Sequence, residues 1–301
     1  SYNLDENDFR GNKFKNHKSP LKGNNDLLSI TKPEIIKEIH KGYLDAGADI
    51  IETNTFSSTS IAMEDYNMQD YVYDLNFESA RIAKEVAKKY STKKYVAGAI
   101  GPTNKTASMS PDVNDPGFRA ITFDELVDTY TEQVRGLVDG GCDMLLVETI
   151  FDTLNAKAAL ISISNYFEEN KINLPLMVSG TITDQSGRTL SGQTLNAFLI
   201  SLSHFPIISI GLNCALGADQ LTPYLRRLSD NTEFYVSAHP NAGLPNAFGE
   251  YDQTPKEMLN QIRLYLKENL INIVGGCCGT TYEHIRLIAE EVKKYKPRKV
   301  K

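Results

Sequence analysis

Seven short runs of near-continuous apolar, β-branched residues recur along this chain. Each is separated from the next by a segment of helical periodicity, and this alternation leaves few folds open. The runs are Ile50-Ile51-Glu52-Thr53, Tyr95 to Ile100, Met144 to Glu148, Leu176 to Gly180, Ile207 to Leu212, Phe234 to Ala238 and Ile271 to Gly275. A strand that is apolar at successive positions is buried on both faces, as in a parallel sheet covered by helices. The periodic segments predict helices over 32–46, 71–90, 124–139, 153–170, 193–204, 218–229, 255–269 and 281–295. Four helix starts read as capping boxes: Thr31 with Glu34, Thr122 with Glu125, Thr254 with Glu257 and Thr280 with Glu283. In that motif the threonine oxygen and the carboxylate each accept an otherwise unpaired amide of the first turn.

Strand-helix repetition on this scale, in 301 residues, predicts an α/β chain folded as a single (β/α)8 TIM-type barrel domain spanning 1–301. Eight helices against seven strands leave the first helix without its strand. The barrel is therefore expected to lack its first strand, as an N-terminally truncated domain in which residues 1–30 form a long polar loop leading into the first helix. A weak internal repeat fits the same scheme: Asp45 to Thr53 resembles Asp139 to Thr149, each passing from a glycine turn into a strand that ends in Glu-Thr, at Glu52 and Glu148.

The net charge of −6 speaks against a nucleic-acid partner, which basic stripes would serve. No run of 18 apolar residues exists and the first residues lack a signal-peptide pattern, so the chain is expected to be cytoplasmic, with no membrane partner. Four cysteines are too few for a disulfide framework, and in a reducing compartment clustered thiols serve as metal ligands or catalysts.

Barrel chemistry collects at the C-terminal ends of strands, and alternate strands share inward layers. Cys214 closes one strand within Gly211-Leu212-Asn213-Cys214, and Cys277 and Cys278 close the last within Gly275-Gly276-Cys277-Cys278-Gly279. Neighbouring residues of a strand face opposite ways, so both sulfurs reach one ion only where the backbone leaves β geometry. Gly275, Gly276 and Gly279 allow that. Three thiolates suit zinc, whose fourth position stays open in catalytic sites. A structural cysteine pair, or a closed four-cysteine site completed by Cys142, are the competing readings. Cys142 precedes its strand, at the opposite end of a barrel, and is assigned to packing. His239, at the end of another strand, is a fourth ligand, a substrate contact or a hydrogen-bonded loop histidine.

Gly-Leu-Asn-Cys followed by Gly-Gly-Cys-Cys-Gly-Thr resembles the homocysteine S-methyltransferase family. Further segments are similar to the homocysteine-binding module of cobalamin-dependent methionine synthases: Lys22 to Asp26, Ala48 to Phe56, Gly101 to Asn104, Ser110 to Pro116, Val147 to Ala158 and His239 to Tyr251. The resemblance implies Cys214, Cys277 and Cys278 as zinc ligands, and Asn241 as the fourth ligand before substrate arrives. It also implies Glu148 as the group holding the amine of homocysteine, with Thr53, Asn54 and Asn213 in the matching segments as further substrate contacts. The implied activity is zinc-dependent activation of the homocysteine thiol for methyl transfer, giving methionine, with no separate general base. The implied donor is methylcobalamin, carried on a cobalamin-binding domain and recharged on a folate-binding domain, neither within this sequence. The family's opening strand, Asp-Gly-x-Met-Gly-Thr, is absent from the sequence. The competing functions are a stand-alone homocysteine methyltransferase with a sulfonium or betaine donor, and a non-catalytic zinc-binding barrel.

Overall fold

The computed structural model describes residues 2–183 and 186–300. Its elements begin with α1 (Glu6–Arg10), α2 (Leu28–Thr31), α3 (Pro33–Asp45), β1 (Ile50–Glu52), α4 (Ser60–Met63), α5 (Val72–Ala87) and β2 (Tyr95–Ile100). They continue with α6 (Phe123–Asp139), β3 (Met144–Ile150), α7 (Thr153–Asn170), β4 (Leu176–Gly180), α8 (Leu195–Leu202) and β5 (Ser209–Gly217). Last come α9 (Ala218–Asn231), β6 (Tyr235–Asn241), α10 (Pro255–Lys267), β7 (Ile273–Val274) and α11 (Tyr282–Val292). Among the described residues the strands number seven and their order is the chain order, β1-β2-β3-β4-β5-β6-β7. A helix follows each one, which is the connectivity of a TIM-type barrel.

Two compact units divide the chain. The first comprises the residues up to Leu44, Asp49–Leu145 and Leu154–Leu174; the second comprises Asp45–Ala48, Leu146–Thr153 and the residues from Pro175 onward.

In the first unit β1 and β2 run parallel, with Ile51 opposite Val96. Helix α6 turns Leu126, Tyr130, Val134 and Leu137 inward at helical spacing, and its Thr122–Glu125 capping box forms, with the Thr122 amide donating to Glu125 Oε2 at 2.8 Å. The N-terminal stretch, expected as a loop, carries structure. Asp5 and Asp8 cap α1 reciprocally, and Phe9, Phe14, Leu21, Leu27 and Leu28 join Ile36, Val72 and Leu75 in one buried cluster. Its apolar residues are spaced without helix or strand period, so their burial depends on contacts with α3 and α5 that no local pattern announces. Thr31 closes α2 instead of opening α3: its hydroxyl donates to the Leu27 carbonyl at 3.3 Å.

In the second unit β4, β5, β6 and β7 pair in parallel, with Val178 opposite Ile210, Ile210 opposite Val236, and Ala238 opposite Val274. The Thr254–Glu257 box caps α10. The box expected at Thr280 sits one residue later, where the Thr281 amide donates to Nδ1 of His284 at 3.2 Å, while Glu283 pairs with Arg286 at 2.8 Å. No helix of the described residues is long and apolar enough to cross a membrane.

Candidate metal centre

The second unit holds the sulfur cluster. Strand β5 pairs regularly with β6 up to Asn213 opposite His239 and resumes only at Gly217 opposite Asn241. Three residues, Cys214, Ala215 and Leu216, thus stand against one, Pro240. Proline has no amide hydrogen to give a neighbouring strand, so the ladder fails at its position. The surplus is absorbed as a bulge, a device that re-aims side chains. Cys214 and Ala215 both take left-handed backbone conformations, with φ of 61° and 58°.

Cys277 and Cys278 lie beyond the short β7, in a loop fastened to the end of β6. The Cys277 amide donates to the Pro240 carbonyl at 2.8 Å, and the Ala242 amide donates to the Cys278 carbonyl at 2.9 Å. The glycines around them serve two purposes. Gly279 has φ of 77° and supplies the turn. Gly275 and Gly276 answer to close approach: a methyl group would come within 2.8 Å of His239 Cδ2 at Gly275 and within 2.8 Å of Thr280 Cβ at Gly276.

The sulfur atoms of Cys214, Cys277 and Cys278 all lie within 4.8 Å of one another. Those of Cys214 and Cys278 are 3.8 Å apart. A tetrahedral zinc with Zn–S bonds of about 2.3 Å separates its sulfurs by about 3.8 Å, so the pair already has the spacing that ion requires. Among the described residues this is the one group of histidine, cysteine and acidic side chains able to close on an ion. Neighbouring sulfhydryls polarise it: hydrogen bonds from Cys214 and then Cys277 pull the Cys278 thiol well below its ordinary range, while the same kind of contact pushes Cys277 up. Tyr251 adds a further hydrogen bond to Cys278, and its own phenol is pushed up to about 12, first by burial and then by that contact. A lone tyrosine in a loop carries no sequence signal for this position.

The other expected residues divide by unit. Asn241 is buried and accepts the Cys278 amide on Oδ1 at 3.1 Å, which sets that oxygen beside the cluster with a second lone pair to spare. Glu148 is half-buried near the end of β3. Asn213 is buried and bonds Thr149. His239 lies outside the sulfur group, its ring against Gly275, and burial lowers its pKa to about 4. Thr53 and Asn54 belong to the first unit, where their side chains bond the protein itself. Thr53 Oγ1 lies 2.6 Å from Thr55 Oγ1, and Asn54 Nδ2 donates to the Asn25 carbonyl at 2.9 Å. Cys142, also in the first unit, is buried, and desolvation pushes its thiol up to about 12, as expected of a packing residue.

A family model of homocysteine S-methyltransferases matches residues 2–292. The chain belongs to that family. Solved structures agree on the fold of this homocysteine S-methyltransferase-family chain. The metallated form of the homocysteine methyltransferase MmuM from Escherichia coli is similar to it, with a TM-score of 0.69 at 21% identity over 88% of this chain and 86% of that one. The oxidized form of the same enzyme gives 0.71 at 20% identity over the same shares. A B12-independent methionine synthase from Shewanella sp. W3-18-1, in complex with selenomethionine, gives 0.50 at 14% identity over 91% of both chains.

Proposed function

We propose that Cys214, Cys277 and Cys278 hold a zinc ion and that this chain presents homocysteine, as its thiolate, for methylation to methionine. The observation that carries the reading is the three-sulfur cluster, all within 4.8 Å of one another and with the Cys214–Cys278 pair at the 3.8 Å spacing of a tetrahedral zinc. Zinc bound there supplies Lewis acidity, which lowers the pKa of a substrate thiol so that it is available as the nucleophile at neutral pH. The chain's own residues do the rest. Asn241 keeps its oxygen against the Cys278 amide and serves as the fourth ligand until substrate arrives. Glu148 stands at a strand end in the same unit and takes the ammonium group of homocysteine, so acid and sulfurs grip opposite ends of one short amino thiol. No side chain is needed as a general base.

The family match from residue 2 to 292 supports reading the chain as one homocysteine-binding domain, and its free cysteines suit a reducing, cytoplasmic setting. The segments similar to cobalamin-dependent methionine synthases favour methylcobalamin as the methyl donor, delivered by a cobalamin-binding domain and recharged by a folate-binding one.

X-ray absorption at the zinc edge tests the reading. Protein loaded with zinc is expected to show three sulfurs and one oxygen or nitrogen, the latter replaced by a fourth sulfur on adding homocysteine. A first shell indifferent to homocysteine sinks the catalytic reading and leaves a structural zinc.

A further inference from the structure

Beside the sulfur cluster, Thr149 holds φ of 52°. A left-handed conformation is uncommon for any residue with a Cβ and is an outlier for a β-branched one. It persists only where surrounding contacts determine it, and such sites gather where function needs an exact backbone path.

Those contacts come from one side chain. The Thr149 amide donates to Oδ1 of Asn213 at 3.0 Å, and Nδ2 of Asn213 donates back to Thr149 Oγ1 at 2.7 Å. Asn213 therefore brackets Thr149 at backbone and hydroxyl together. Its remaining capacity is also used: Ser179 Oγ donates to Oδ1 at 2.7 Å, and Nδ2 points at Cys277 Sγ, 4.0 Å away. A primary amide offers two acceptor lone pairs and two N–H groups, and all four are engaged in a side chain only 3% exposed. Nothing is left over for a substrate. What Thr149 touches next is the acid, its hydroxyl lying 3.4 Å from Oε2 of Glu148.

We propose that Asn213 is a positioning residue: by clamping Thr149 in its left-handed conformation it aims Glu148 at the substrate amine, and through Cys277 it ties that acid to the sulfur cluster. This rests on the reading of Glu148 given above. In an ordinary strand the side chains of 148 and 149 would leave on opposite faces, whereas the left-handed turn at Thr149 goes with its hydroxyl lying within reach of the Glu148 carboxylate. Asn213 thus acts chiefly on specificity for the amino group, its contact with Cys277 being the longer one.

The test compares homocysteine with 4-sulfanylbutanoate, the same thiol acid without its amine. The full chain is loaded with cobalt(II) in place of zinc, and binding is read from the sulfur-to-cobalt absorption band. The unaltered chain is expected to prefer homocysteine by about tenfold, the scale of one well-placed polar contact. Asn213→Ala, compared at saturating cobalt so that any change at Cys277 is held out, should bring that preference close to unity, its affinity for homocysteine falling by more than its affinity for 4-sulfanylbutanoate. Adding Thr149→Gly to Asn213→Ala should restore part of the preference, because glycine takes the left-handed conformation unaided. Thr149→Val, which keeps the shape and removes the hydroxyl, gives a milder variant for use if the alanine protein does not fold, and is expected to lower the preference as well. A preference unchanged in both variants, or an equal loss of both thiols, overturns the clamp alone. Equal binding of the two thiols by the unaltered chain overturns the role of Glu148 and the clamp with it.

Discussion

The left-handed backbone at Ala215 can be weighed directly, because Ala215 is not a ligand yet shares the bulge that aims Cys214. With φ of 58°, an L-residue there pays about 1–2 kcal/mol relative to the right-handed regions. Glycine escapes that cost, but its looser unfolded chain offsets about 0.4–1 kcal/mol of the gain. The methyl group is half-buried, so its loss offsets little more. Ala215→Gly is therefore expected to stabilise the zinc-free protein by about 0.5–1 kcal/mol. Ala215→Val, which adds a β-branch to the same conformation, should destabilise it by about 1–2 kcal/mol. Urea unfolding of the three zinc-free proteins measures the series, with unchanged m-values showing that only stability has moved. Zinc stoichiometry in Ala215→Gly should match that of the unaltered chain. A glycine protein less stable than the alanine one by about 1 kcal/mol, with valine equal to alanine, would refute the strained bulge and the route by which Cys214 reaches its partners.

Further outcomes follow from the same reasoning. Cys277→Ser should lose most bound zinc by atomic absorption, whereas Cys142→Ala should keep full stoichiometry and lose roughly 1–3 kcal/mol of stability from a small cavity; the reverse pattern would exchange their roles. Asp26 is buried against Ser57 and Ser58, and desolvation raises its pKa from 3.8 to about 6. Because the folded value lies above the unfolded one, the stability tied to this group is fully present below about pH 4 and lost as pH rises to about 6, a change on the order of 3 kcal/mol. Asp26→Asn should flatten that stretch of the stability curve, and an unchanged slope by urea titration would remove Asp26 as its cause.

Much of the architecture was legible locally. Buried strands announce themselves as apolar runs, and helix starts as Thr-x-x-Glu, because both signals depend on residues close in sequence: α7 (Thr153–Asn170) and the Thr122 and Thr254 boxes fall where the pattern puts them. The box at Thr280 falls one residue later because the Thr280 amide goes to the Cys277 carbonyl and Glu283 to Arg286, while the Thr281 amide finds His284. The buried N-terminal cluster around Phe9, Phe14 and Leu21 escaped notice because its partners are far away in the chain.

By itself, the sequence determined the parallel α/β class, the family, and which three cysteines belong together, since residue types and their order at strand ends carry that information. Tertiary structure decided how they meet. Pro240 breaks a ladder with a strand that precedes it by two dozen residues, the bulge opposite carries Cys214 to Cys278, and Asn213 fixes the backbone at Thr149 from two strands away in the sheet. Each of these depends on hydrogen bonds between segments remote in sequence, where a residue's conformation is set by its partner and not by its neighbours.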